Sequence, residues 1–219
     1  MSAEPAYALR RSDRARRVRV SVRDDGMVEV VLPRRAPERL ADEAIVELAP
    51  WIARRRAEVE QTQALLAERD GTLPFLDEVL TLRPEPGRTR VHRRGDLLLV
   101  PDHDAEPAIE RWYRRAARAE IEPRVAEATA AIGVESTKLT IRNQRSRWGS
   151  CSATGALSFN WRLLLAPSEI LDYVVWHEAC HLVHMDHSPS FWGLLAAHRP
   201  DYRQPKRWLR RHGATLVLS

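Results

Sequence analysis

Two histidines four residues apart, set in an otherwise apolar run, constrain this chain more than any other feature. The run is Tyr173-Val-Val-Trp-His-Glu-Ala-Cys-His-Leu-Val183, and His177 to His181 within it reads H-E-x-x-H. On a helix, residues four apart stack one turn above the other. Both imidazoles can then reach one metal ion, with Glu178 beside them at the same edge. Ser168 is the expected N-cap, Asp172 lies in the first turn, and Ile170, Leu171, Val174 and Val175 form the buried face. The helix is expected to end near His184–Asp186.

A hydrolytic zinc site takes three protein ligands and keeps one position for water. No glutamate follows Glu178, so the downstream candidates are His184, Asp186, His187, His198 and Asp201. His184 shares a helical face with His177. Seven residues of helix, however, rise about 10.5 Å, too far for both rings to meet one ion. His187 falls just past the helix, where the chain can fold back, and is the expected third ligand. His177, His181 and His187 then have metzincin spacing, except that metzincins place glycine where His184 stands, for a sharp bend. The helix is therefore expected to run farther here. His184 is a candidate proton or substrate contact, and Asp186 a candidate acceptor for a ligand imidazole.

That donor set predicts one Zn2+ per chain. Zinc lowers the pKa of its water from about 15.7 to roughly 7. Glu178 can accept the released proton during attack on a carbonyl and pass it to the leaving amine. The expected function is a zinc-dependent hydrolase, a metallopeptidase acting on peptide or protein. The same activated water can attack a phosphoryl group. No G-x-x-x-x-G-K-[ST] loop is present.

The 219 residues suffice for one domain with a smaller lobe. A hydrophobic fraction of 44% with 30% charged residues describes a globular chain. No apolar run approaches the roughly 18 residues that span a bilayer, and the arginine-rich start lacks a signal-peptide core; a cytoplasmic location without membrane contact is expected. Cys151 and Cys180 form no disulfide framework. Cys180 lies about 80° from the His177/His181 face of a regular helix and reads as a buried thiol. The net charge is +5, and the only lysines are Lys138 and Lys206. Basic clusters at residues 10–19, 54–56, 88–94 and 206–211 make nucleic acid a candidate partner, against the alternative of a solvated arginine-rich surface. Oligomeric state is left open.

Valines alternate with polar residues over 17–32 on both sides of Asp25-Gly26, a hairpin pattern. Helical spacing follows over 38–69, with Pro50 a candidate kink or break. A second β-like region covers 78–82, 88–92 and 96–100. A helix begins near Glu106, passes Pro123, and stops at Gly133. Residues 137–142 alternate as a strand, 143–152 form a Gly-containing turn, and 156–163 a second strand. Ser188-Pro189 starts another helix, and a short basic helix over about 203–212 ends at Gly213. The expected fold class is α+β, with an N-terminal β-rich lobe with a long helix over 1–105 and a metal-binding catalytic domain over 106–219. The lobe carries no recognisable chemistry.

Arg147-Trp-Gly-Ser-Cys151, Leu157-Ser-Phe-Asn160, Ala166-Pro167 and Tyr173–Leu182 together resemble the YgjP-like metallopeptidase family, a zincin-like group akin to SprT-type and WLM proteases. His184, His187-Ser188, Phe191-Trp192, Pro200-Asp-Tyr202 and Trp208-Leu209 extend the resemblance downstream, and Trp112-Tyr-Arg114 upstream. It implies a zincin-like domain with His177, His181 and His187 on zinc and Glu178 as acid/base. It also implies that the Arg147–Ser150 turn and the Leu157–Asn160 strand lie near the cleft. That strand is then a candidate edge for pairing with extended substrate, and Arg147 or Asn160 a candidate oxyanion stabiliser. The alternative is that Trp148, Gly149 and Asn160 shape the turn. The nucleotide-hydrolase label of some family members implies a metal-dependent phosphohydrolase acting on nucleotides as an alternative, and the SprT-type kinship adds a DNA-associated protease.

Overall fold

The alternating valines around Gly26 form the hairpin expected of them. β1 (Ala8–Ser12), β2 (Arg19–Val22) and β3 (Val28–Pro33) make a sheet of order β1-β3-β2, with β2 antiparallel and β1 parallel to β3. Gly26 closes the turn at φ 79°, a left-handed value that costs glycine nothing. β1, Ala-Leu-Arg-Arg-Ser, has no alternation to announce it and is recruited by β3. The computed structural model describes residues 7–23, 25–144 and 146–218.

The helical stretch that follows is two helices, α1 (Arg39–Glu47) and α2 (Ala49–Ala67), divided at Leu48. Pro50 sits in the first turn of α2, where a missing N–H leaves no helical bond unmade. Val30, Leu32 and Ala41 are the buried centre of this first unit, which runs through Glu68.

The second unit begins at Arg69, so the division expected between residues 105 and 106 falls inside it. Its first sheet comprises β4 (Thr72–Phe75), β5 (Glu78–Glu85), β6 (His92–Arg94) and β7 (Leu97–Pro101), ordered β4-β5-β7-β6. Leu73, Phe75, Leu80 and Leu98 from these strands share one core with Leu157, Phe159, Leu164 and Ile170. That shared core keeps them with the C-terminal elements.

α3 (Ala105–Ile132) is continuous through Pro123 and stops at Gly133 as expected. Its buried Tyr113 packs with Phe75 and Trp161 and donates its hydroxyl to the Pro74 carbonyl at 2.5 Å. β8 (Lys138–Arg142), β9 (Gly149–Cys151) and β10 (Ala156–Asn160) form the second sheet of this unit, ordered β8-β10-β9. Two expectations change here. The Gly-containing turn holds a strand, β9. And β10 is central, with β8 parallel on one side and β9 antiparallel on the other, so Leu157–Asn160 has no free edge to offer a substrate.

α4 (Ser168–Cys180) carries the H-E-x-x-H residues and is buried almost all round, through Ile170, Leu171, Tyr173, Val174, Val175, Trp176, Ala179 and Cys180. It packs against α3, β9, α5 (Pro189–His198) and α6 (Arg203–His212). Ser168 is its first residue rather than its N-cap, which is Pro167. The Ser168 N–H donates to the Asp77 carboxylate at 3.1 Å, and its hydroxyl donates to the same group. Asp77 lies on the β4–β5 turn, where Leu76 takes φ 55° and donates its N–H to the Leu164 carbonyl at 2.7 Å. A carboxylate from another element thus meets the positive end of α4.

Candidate metal centre

α4 ends at Cys180, with His181 as its C-cap, short of the expected His184–Asp186. The chain turns over 181–183, held by the Val183 and His184 N–H groups on the Cys180 carbonyl at 3.1 and 3.0 Å. Among the described residues no non-glycine after Asp104 takes a positive φ. Histidine is therefore tolerated where metzincins have glycine, because this bend needs no left-handed residue.

The early turn brings His187 back to the helix. One ligand atom each from His177, His181 and His187 falls within 4.8 Å of the other two, and the Nε2 atoms of His177 and His187 are 3.1 Å apart. His181 Nδ1 lies 2.8 Å from the His184 carbonyl oxygen. A carbonyl can only accept, so Nδ1 carries a proton, and Nε2 is the nitrogen left to a metal in the neutral ring. Burial pushes His177 down to about 3, with the neighbouring histidines and Lys206 adding to it. His187 is lowered by burial first and then by the charges of His181 and Lys206. Neutral imidazoles are the form that ligates, and the three residues together could hold one metal ion.

Phe191 packs on all three rings, at 5.0, 4.5 and 4.9 Å from His177, His181 and His187. Ser188 starts α5 by accepting the Phe191 N–H at 3.4 Å, as the Ser-Pro pair predicts. The apolar wall is thereby fixed to the turn that carries His187.

Glu178 is 6% exposed. Burial pushes its carboxyl up to about 7, while Arg147 and a hydrogen bond from the Cys151 N–H pull the other way. Across β9 and β10 the bonds Asn160 N–H to Trp148 O and Ser152 N–H to Ala156 O fix the ladder. By the alternation of an antiparallel pair, Ser150 bonds to β10 while Gly149 and Cys151 turn their backbone groups away from it. Gly149 also gives Glu178 its room. A Cβ there would stand 2.6 Å from both Cγ and Oε1 of Glu178, closer than real contacts allow. Burial and the nearby Glu178 push the Cys151 thiol up, which keeps it protonated.

A pocket of about 250 Å³ opens beside this carboxylate, lined by Trp148, Gly149, Tyr173, Val174, His177, Glu178, Lys206 and Leu209. The remaining expected residues divide. Arg147 is exposed on the approach to β9. Asn160 is 1% exposed and lines no part of the pocket. Its amide donates to the Gln144 carbonyl at 2.7 Å and its oxygen accepts the Arg162 N–H at 3.1 Å, so it shapes the turn instead of meeting an oxyanion. His184 contributes its backbone carbonyl to His181. Asp186 accepts the Ser188 N–H at 3.2 Å rather than orienting a ligand ring, and His198 stacks on Trp176 at 4.8 Å. Lys206 is the lining residue that sequence reasoning passed over. Its signal was its rarity, as one of two lysines in an arginine-dominated chain.

A family model described as YgjP-like, metallopeptidase domain matches residues 16–212. Among solved structures, the metallopeptidase zymogen of Pyrococcus abyssi, abylysin, is similar at 21% identity, with a TM-score of 0.39, over 44% of this chain and 99% of that one. No curated protein matches. Among the described residues, no helix is long and apolar enough to cross a membrane.

Proposed function

This chain belongs to the YgjP-like metallopeptidase family, and from that premise we propose that it is a zinc-dependent peptidase. In this reading His177, His181 and His187 hold the ion and Glu178 is the general base. One observation carries it: three ligand nitrogens gathered within 4.8 Å beside a buried carboxylate. When bound, zinc supplies a water acidic enough to ionise near neutral pH. Glu178 takes that proton and returns it to the leaving amine; burial suits it to the exchange by raising its pKa toward neutrality. The Cys151 N–H holds the carboxylate in place while this happens. An extended peptide adds along the outer edge of β9 through the outward backbone groups of Gly149 and the Cys151 carbonyl, the Cys151 N–H staying with Glu178. The neighbouring pocket then takes a substrate side chain.

Purified protein, Glu178→Gln and His187→Ala are to be compared on unfolded protein substrates and on nucleoside triphosphates. The wild type is expected to hold about one zinc per chain, to cut unfolded protein and to leave nucleotides intact. Glu178→Gln should keep the zinc and lose at least about a hundredfold in turnover, and His187→Ala should lose the metal. Nucleotide hydrolysis without proteolysis would sink the peptidase reading. Unchanged turnover in Glu178→Gln would remove the general-base role.

A further inference from the structure

Lys206 is the one cationic side chain among the residues lining the pocket, and Glu178 the one anionic. Its ammonium lies 4.1 Å from the centroid of the Trp192 ring, a cation–π distance. Trp192 in turn stacks on Tyr202 at 5.2 Å, and the Lys206 N–H donates to the Tyr202 carbonyl at 3.2 Å. Trp192 also lies against His187, ring centroids 5.5 Å apart. Tyr202, Trp192 and the first turn of α6 therefore hold this lysine beside the metal ligands. No ion pair engages it among the described residues.

We propose that Lys206 selects substrates by binding a carboxylate close to the scissile bond, on an acidic side chain or at the peptide's C-terminus. Trp148, Val174 and Leu209 give the pocket apolar walls, and its volume suits one side chain rather than a larger ligand. A cation beside such walls rewards a carboxylate and disfavours a cationic side chain. Lys206 lines the same pocket as His177 and Glu178, and an extended chain advances about 3.5 Å per residue, which places the carboxylate within about two residues of the cut. The catalytic part of this inference rests on the peptidase reading; the binding part does not.

The test digests a peptide library, in blocked and free C-terminal forms, with zinc-loaded wild type, Lys206→Ala, Lys206→Arg and Lys206→Glu, mapping cuts by mass spectrometry. The wild type should favour an acidic side chain or a free C-terminal carboxylate within two residues of the cut, and the blocked arm tells the two sources apart. Lys206→Ala should lose that preference by about tenfold, Lys206→Arg should keep it, and Lys206→Glu should turn it toward basic residues. Unaltered zinc content and melting would separate this from a merely structural cation–π contact. No acidic preference in the wild type, or an equal slowing of every cut in Lys206→Ala, would overturn the proposal. A second measurement covers failure of the peptidase reading itself. Fluorescence anisotropy with zinc-loaded Glu178→Gln compares two labelled peptides that differ only in Glu or Gln. If the wild type cuts nothing, tighter binding of the Glu peptide that Lys206→Ala abolishes still supports Lys206, and equal binding refutes it.

Discussion

At the scale of single residues, two positions separate backbone work from side-chain work. His184 serves the site through its carbonyl, which takes the His181 Nδ1–H at 2.8 Å, and its φ is not left-handed. Alanine keeps both properties. His184→Ala should therefore retain zinc and at least half of the activity, whereas His187→Ala should lose the metal; loss of zinc from His184→Ala would make its ring the third ligand. Gly149 works by having no side chain. A Cβ at 2.6 Å from Glu178 must push the carboxylate aside, and misplacing a catalytic group by about 1 Å costs on the order of a hundredfold. Gly149→Ala should show that loss in kcat with its zinc content intact. Full activity in a folded Gly149→Ala would mean that Glu178 has another position from which to act.

At the scale of elements, α4, the stop of α3 and the start of α5 were legible, whereas the end of α4, its cap and β9 were not. Helical spacing, apolar flanks and the two histidines are all local, so the helix and the choice of His187 follow from short stretches of chain. The stop at Cys180 was missed because apolar Leu182 and Val183 continue the pattern, while the turn is set by where His187 must go. β9 has three residues and no alternation, so only its pairing with β10 reveals it. Once β9 is in place, β10 becomes central and Asn160 is committed to a turn. The cap of α4 was hidden for the same reason: Asp77 lies 91 residues before Ser168. That contact carries a prediction. The Ser168 hydroxyl and N–H hold the Asp77 carboxyl below its usual range, so the folded state favours the charged form. Its contribution is present above the unfolded pKa of about 3.9 and is lost as pH falls through the lower folded value. Asp77→Ala should cost about 1 kcal/mol at pH 7, seen as a drop of about 3 °C in melting temperature, with a smaller difference at pH 3. An equal difference at both pH values would show that the charge is not what stabilises α4.

At the scale of the whole molecule, the family match and the packing draw different lines. The match runs from residue 16 to 212, across both units, while each unit has its own buried cluster and the division falls after Glu68. The three imidazoles, Glu178, β9, Asp77 and Lys206 all belong to the second unit. So do the contacts that close it: the Arg69 guanidinium donates to the Val217 carbonyl at 2.5 Å and the Thr215 carbonyl at 3.1 Å, tying the unit's first residue to its last segment. A chain beginning at Arg69 keeps every one of these interactions and its own core. It should melt in one cooperative transition and bind about one zinc. Cleavage of short peptides should persist, while any loss confined to protein substrates would assign the first unit to substrate capture. If the shortened chain fails to fold or to hold zinc, the first unit is required by the metal centre itself, and the span of the family match reflects one folding unit rather than two.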